Sequence, residues 1–252
     1  MEGREPMEVF RKGRYSVRYA GSDADLQAAQ RLRWLAFRPG AAEDGVDADR
    51  FDPLCRHVLV EERAGGRLVC TFRFMLLEGG AEISQSYSAQ YYGLSGLGDY
   101  AGRMVEMGRF CIDPSCHDAD ILRVAWGAMT RVVQQERVDL LFGCSSFKGV
   151  ETGDYLDAFA VLKARHLAPK RWLPAAKAPN VFRYAARLRR KPDMRAAMAK
   201  MPPLLKSYLM MGGWVSDHAV VDAEMNTLHV FTGLEVRAIP PGRVRLLQDI
   251  AG

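Results

Sequence analysis

Behind Ser22 and Asp23, apolar residues recur at helical spacing (Leu26, Ala29, Leu32, Ala36), which predicts a first helix ended by Pro39. The spacing then vanishes. Residues 41–53, AAEDGVDADRFDP, read as an acidic loop, and RHVLVEER and RLVCTFRFMLL as two strands turning at Ala64-Gly65-Gly66. A polar, tyrosine-rich excursion, SQSYSAQYYGLSGLGDYAG, separates these from a further strand, MVEMGRFCID, stopped by Pro114. Helical spacing returns over residues 119–136. DLLFGCSSF reads as a short buried strand, DYLDAFAVLKARH as a helix, and MPPLLKSYLMMGGW as a helix after its prolines. SDHAVVDA and TLHVFTGLEV, either side of Glu224-Met225-Asn226, predict a closing hairpin.

The order helix, strands, central strand, helix, strand, helix, hairpin is a mixed α/β order. A helix between MVEMGRFCID and DLLFGCSSF makes those strands parallel neighbours, since a parallel pair needs a crossover. Where such neighbours splay, a crevice opens at their carboxyl ends, the usual ligand site of open sheets.

Composition narrows the function classes. With 252 residues, 48% of them hydrophobic, the chain fills one or two ordinary cores. No run of 18 apolar residues predicts a membrane span, and the charged start, MEGREPMEVFRKGRYS, lacks a secretory apolar centre, so a cytoplasmic location is expected. Cys55, Cys70, Cys111, Cys116 and Cys144 form no CxxC pair, and His117, His166, His218 and His229 have no metal spacing, so no metal is expected. Ser145 and Ser146 in GCSSF do not form a G-x-S-x-G elbow, which disfavours a covalent hydrolase.

The net charge of +5 is concentrated. Residues 183–206 hold eight Arg or Lys against Asp193 alone, a surface suited to an acidic partner. No zinc module, helix-turn-helix or RNP-like strand accompanies it, so nucleic acid is not the expected partner. An acidic carrier protein, an anionic membrane and plain solvent remain open, with Arg187, Arg189, Arg190 and Lys191 as the docking candidates.

MVEMGRFCID itself poses a chemical question. Glu106 and Arg109 differ by an odd number, so in a regular strand they face opposite sides, and each needs a partner if buried. A bulge changes that, and Gly108 suits one.

These residues resemble the GNAT acyltransferases, specifically the branch that uses acyl carrier protein: the ornithine-lipid N-acyltransferases and, more distantly, the acyl-homoserine lactone synthases. The resemblance rests on Arg33 with Phe37 in RWLAF, Asp49 with Asp52 in DRFD before His57, Arg73 in TFRFM, and Glu106 with Arg109 in EMGRF. Toward the ornithine-lipid enzymes it extends through GCSSFKGVETGDYLDAFAVLKARHLAP and PPLLKSYLMMGGWVSDHAVVD, spanning roughly residues 15–240. Glu43 stands where the lactone synthases carry a tryptophan, and PSCHDADILRVAWGA replaces the Gly-rich pyrophosphate loop of coenzyme-A-dependent members.

The resemblance implies a single GNAT-like domain over 15–240, its mixed central sheet splayed between two parallel strands and flanked by helices, with a basic helical segment at about 183–212 before the final hairpin. It implies transfer of a 3-hydroxyacyl group from acyl carrier protein to the α-amine of ornithine, with no bound cofactor. An α-ammonium must lose a proton before attacking a thioester, and Glu106 is the candidate base, a structural ion pair being the alternative. Arg33, Phe37, Asp49, Asp52, Arg73 and Arg109 are expected to orient substrate or organise the site, the charged ones as an interior cluster. The start of the helix near Ile121, Leu122, Arg123 and Val124 is expected to hold the phosphate of the donor's pantetheine arm. Leu140, Leu141, Phe142, Phe159, Leu162 and residues 209–211 are acyl-tunnel candidates, with plain core as the alternative. Glutamine is the nearest alternative acceptor, lactone synthesis a further one, and a non-catalytic carrier- or membrane-binding protein the reading from a different class.

Overall fold

The computed structural model describes residues 8–42 and 44–251, so Glu43 lies outside the described residues. In chain order the elements are β1 (Glu8–Lys12), β2 (Tyr15–Tyr19), α1 (Asp23–Phe37), β3 (Arg56–Glu62), β4 (Leu68–Leu77), β5 (Tyr92–Gly93), β6 (Met104–Ile112) and α2 (Ala119–Gln135). There follow β7 (Leu140–Lys148), α3 (Leu156–Arg165), β8 (Ala175–Ala176), β9 (Val181–Phe182), α4 (Tyr184–Arg187), α5 (Met194–Lys200) and α6 (Pro203–Met210). Last come β10 (Trp214–Val215), β11 (Ala219–Asp222), β12 (Thr227–Glu235) and α7 (Pro241–Ala251). The described residues form two compact units, one within 8–76, 107–138 and 241–251, the other of 77–106 and 139–240.

In the first unit β1, β2, β3 and β4 pair antiparallel in sequence, and the second half of β6 runs beside β4, with Asp113 N–H donating to Val69 O at 2.8 Å. The β3–β4 turn needs Gly65 and Gly66, whose φ values of 86° and 67° disfavour a side chain. Ser22 caps α1 by accepting from Asp25 N–H. In α2, Ile121, Val124, Ala125, Ala128, Met129 and Val132 form a buried stripe at helical spacing. Gly127 admits α7: a Cβ there would lie 2.8 Å from Ile250 Cγ2 and 3.0 Å from the Phe10 ring. Arg131 fastens the contact by donating to Ala251 O and Val9 O, both at 2.7 Å.

The second unit holds a mixed sheet. The first half of β6 pairs parallel with β7, as Met104, Val105 and Glu106 beside Leu140, Leu141 and Phe142. β12 runs antiparallel to β7 along its whole length, then β11 and β9 follow. The α3 helix covers this sheet through Phe159 and Leu162, which share a core with Phe147, Leu228, Val230, Tyr184 and Leu205. The segment expected to be basic and helical at about 183–212 holds three short helices, α4 to α6. Its apolar residues Tyr184, Ala197, Met201 and Leu205 are buried in that core, with α4 and α5 against α3 and α6 against β12.

The same packing corrects the tunnel assignment. Phe159 lies 5.0 Å from Tyr184 in a stacked pair and 5.1 Å from Phe147, and Leu140, Leu141, Phe142 and Leu162 are equally buried, so these are core side chains. Met210 is 51% exposed. No described helix is long and apolar enough to cross a membrane.

Candidate active site

Glu106 closes the parallel pairing of β6 with β7, and its side chain is buried. A buried carboxylate must be matched by donors. They come from a segment without helical or strand periodicity, at the start of a 3-10 turn (Ser88–Gln90). Oε2 accepts from Tyr87 N–H at 2.7 Å, and Oε1 accepts from Ser88 N–H at 2.7 Å and from the Ser88 hydroxyl at 2.6 Å. Ser88 Oγ also lies 3.4 Å from Cys144 Sγ on β7. Tyr208 of α6 is buried, and burial first, then the negative charge of Glu106, push its phenol well above the usual range. No cation contributes to these three hydrogen bonds. The carboxylate is anchored chiefly by peptide N–H groups.

The second charged cluster belongs to the first unit. Arg33, on the buried face of α1, donates to Asp52 through Nη1 to Oδ1 at 2.9 Å and Nη2 to Oδ2 at 2.8 Å, and Nη2 also reaches Asp47 O. Arg73, from β4, grips Asp49 with both Nη atoms at 2.6 and 2.7 Å and touches Asp52 Oδ1. Arg109 donates to Asp49 Oδ2 at 3.0 Å. Asp47 Oδ2 sits 3.0 Å from Arg33 Nε and 3.1 Å from Arg109 Nε, held by charge rather than by aligned hydrogen bonds. Three guanidinium groups thus face three carboxylates. Burial raises the Asp52 and Asp49 pKa values, but Arg33 and Arg73 outweigh it and hold both carboxyls below the usual range. His57 Nε2 lies 3.0 Å from Asp52 O, and burial is the main cause of its lowered pKa.

Arg109 reaches this cluster because β6 breaks at it. Its φ is 52°, the left-handed region, whereas Gly108 has no positive φ. The break expected at Gly108 falls one residue later because the two Asp contacts stabilise a conformation that an arginine otherwise resists. Phe37 ends α1 half-buried.

At the expected phosphate site the first turn of α2 has partners of its own. With α2 starting at Ala119, the N–H groups of Arg123 and Val124 fall within its own i to i−4 pattern. Asp120 N–H goes to Asp118 Oδ1 at 2.9 Å, Ile121 N–H to Asp118 O at 3.2 Å, and Arg123 pairs with Asp120 at 2.9 Å.

On the exposed side, Arg187, Arg189, Arg190 and Lys191 all reach solvent. Arg190 is tied to Asp157 at 2.8 Å, and Arg189 donates to Ala186 O at 2.6 Å. Met194 and Met198 stand exposed four residues apart on the neighbouring α5. Among the described residues no group of three or more His, Cys, Asp or Glu could hold a metal.

Sequence reading had not singled out Tyr87, Ser88 or Tyr208. Only the abundance of Ser and Tyr in an aperiodic stretch marks the first two, and a lone tyrosine in an apolar helix gives no sign of its neighbour.

Residues 33–127 match the acetyltransferase (GNAT) domain family. The chain is 32% identical over 238 residues to an L-ornithine N(alpha)-acyltransferase of Rhodobacter capsulatus, covering 89% of this chain and 91% of that one. It is 30% identical to a protein of the same name from Brucella abortus, over 91% of this chain and 87% of the relative. Among solved structures it is similar to an N-acyl amino acid synthase from uncultured soil microbes, at 10% identity and a TM-score of 0.49, over 90% of this chain and 94% of that chain.

Proposed function

The chain belongs to the L-ornithine N(alpha)-acyltransferase family, and from that premise we propose that it transfers a 3-hydroxyacyl group from acyl carrier protein to the α-amine of L-ornithine, giving lyso-ornithine lipid. It is an N-acyltransferase of the GNAT fold. The observation that carries the reaction is Glu106, a buried carboxylate fixed by Tyr87 N–H, Ser88 N–H and Ser88 Oγ–H at the end of the β6–β7 pairing.

Two protons leave the ornithine nitrogen in this chemistry. Glu106 takes the first from the ammonium and passes it to water. The freed amine attacks the thioester carbonyl, the C–N bond forms, the C–S bond breaks, and the departing thiolate carries off the second. A positioned base contributes about 10²- to 10⁴-fold to such a rate. Peptide donors suit the task because they hold the carboxylate in place without neutralising it.

Arg33, Asp49, Asp52, Arg73 and Arg109 serve as the site-organising framework, fixing the acidic loop against α1 and β4; Phe37 keeps a substrate-orienting role. The start of α2 at Ile121, Leu122, Arg123 and Val124 is the candidate site for the phosphodiester of the carrier's arm, with the exposed Arg123 side chain as its charge. The exposed Arg187, Arg189, Arg190 and Lys191 meet acidic carrier protein or an anionic membrane, where each basic residue contributes about 1 kcal/mol near the surface.

The test uses purified protein with 3-hydroxyacyl carrier protein and ornithine, following the amide product by mass spectrometry and the carrier thiol in parallel. Product with ornithine and little with glutamine supports the reading; preference for glutamine redirects it to glutamine lipid. Glu106→Gln is expected to lower turnover by at least about 10²-fold while the circular-dichroism spectrum is unchanged. Full activity of that variant removes Glu106 as the base.

A further inference from the structure

We infer that Ser88 is a positioning residue for the transfer reaction, its hydroxyl switching between donor and acceptor as Glu106 gains and loses its proton, with Cys144 as the outlet for the switch. The inference rests on the reading of Glu106 as base. It comes from the kinds of donors that surround the carboxylate. A peptide N–H can only donate, so Tyr87 N–H and Ser88 N–H favour the ionised carboxylate and oppose its protonation. A base held solely by such groups is well placed but reluctant to accept a proton. Ser88 Oγ, 2.6 Å from Oε1, differs because a hydroxyl both donates and accepts.

While Glu106 is ionised, the Ser88 hydrogen points at Oε1. As the ammonium N–H bond breaks and an O–H bond forms at Oε1, that bond takes the lone pair that Ser88 Oγ–H had filled, so the Ser88 hydrogen must turn elsewhere; once the amine has moved on, the new hydrogen turns to Ser88 Oγ. Cys144 Sγ, 3.4 Å from Oγ, is an acceptor within reach, and sulfur is a weak one. In the ionised state the same contact runs in reverse, with the thiol donating to Oγ. No covalent bond of Ser88 or Cys144 is broken. Only the hydrogen-bond directions change, and both states of Glu106 keep a partner at Oε1. Ser88 is fully buried, so water does not replace the hydroxyl without rearrangement.

The test compares four variants of the whole chain in the transfer assay. Ser88→Ala is expected to lower kcat by about ten- to a hundredfold, within the share of a positioned base, with the ornithine KM changed less than about threefold. It also moves the acidic limb of the kcat–pH profile to higher pH, because the ionised carboxylate loses a charge-assisted donor. Cys144→Ala removes the outlet and is expected to lower kcat, whereas Cys144→Ser keeps an acceptor and restores it. Cys144 is only half-buried, so this pair decides the matter if Ser88→Ala does not fold.

A wild-type kcat and pH profile in Ser88→Ala, or equal rates in Cys144→Ala and Cys144→Ser, overturns the inference. Glu106→Gln separates the two layers. If that variant is active the base reading fails and this one with it; if it is inactive while Ser88→Ala behaves as wild type, only the switch is wrong.

Discussion

Arg33 and Asp52 meet as a two-pronged pair, Nη1 on Oδ1 at 2.9 Å and Nη2 on Oδ2 at 2.8 Å, with the guanidinium 1% exposed. Breaking such a pair by removing one member leaves a buried charge short of partners. Arg33→Met is therefore expected to lower stability by about 3–5 kcal/mol in urea unfolding. Arg33→Lys recovers little, because one ammonium cannot span both Asp52 oxygens and Asp47 O together. A loss below about 1 kcal/mol in Arg33→Met contradicts a structural role for the cluster.

At Arg109 two effects oppose each other: contacts to Asp47 and Asp49 against a left-handed backbone. Arg109→Ala and Arg109→Gly both lose the contacts, but only glycine relieves the backbone. The alanine variant is expected to be the less stable by about 1 kcal/mol, reversing their usual order in regular structure. Equal midpoints in denaturant mean that β6 relaxes once the guanidinium is gone.

Burial holds the His229 imidazole down to about 4, in a site where Tyr92 Oη lies 3.1 Å from Nδ1. A histidine unfolded near 6.5 binds a proton that the folded one refuses, so stability rises with pH between these values. It is fully present above about 6.5 and lost as pH falls toward 4, by about 3 kcal/mol for this group. His229→Gln is expected to flatten that part of a thermal-unfolding pH series. A slope as steep as wild type assigns the loss to other groups.

The exposed basic residues predict a separation of binding from folding. Arg187→Glu, Arg189→Glu and Lys191→Glu together are expected to leave the melting temperature within a few degrees while weakening carrier-protein or anionic-vesicle binding more than about tenfold at low salt. The difference closes near 1 M salt, where the screening length is about 3 Å. Arg190 is left out because it also holds Asp157. Binding of both probes at wild-type strength removes this face as a docking surface.

Strands and helices with strong periodicity were legible in the chain. MVEMGRFCID and DLLFGCSSF do pair in parallel, and the arginine–aspartate cluster is assembled as its residue types demanded. What escaped was tertiary. Ser88 lies 18 residues from Glu106 in a stretch with no pattern, and its fitness as a partner depends on where a short turn aims two N–H groups. The strain at Arg109 is invisible in a residue that normally avoids it. β1 and α7 were overlooked because they are fixed by distant partners, β1 by β2 and α7 by α2, through positions such as Phe10 and Ile250 that carry no local signal.

The docking of Ile250 onto Gly127 has a kinetic consequence. The first unit draws on three separate stretches of chain, and its final helix is synthesised more than a hundred residues after the groove that receives it. The second unit has all its strands and helices before that helix emerges from the ribosome. Until then, the bare strip along α2 is an adhesive edge on the nascent polypeptide, and holding it clear of other chains is work for a chaperone.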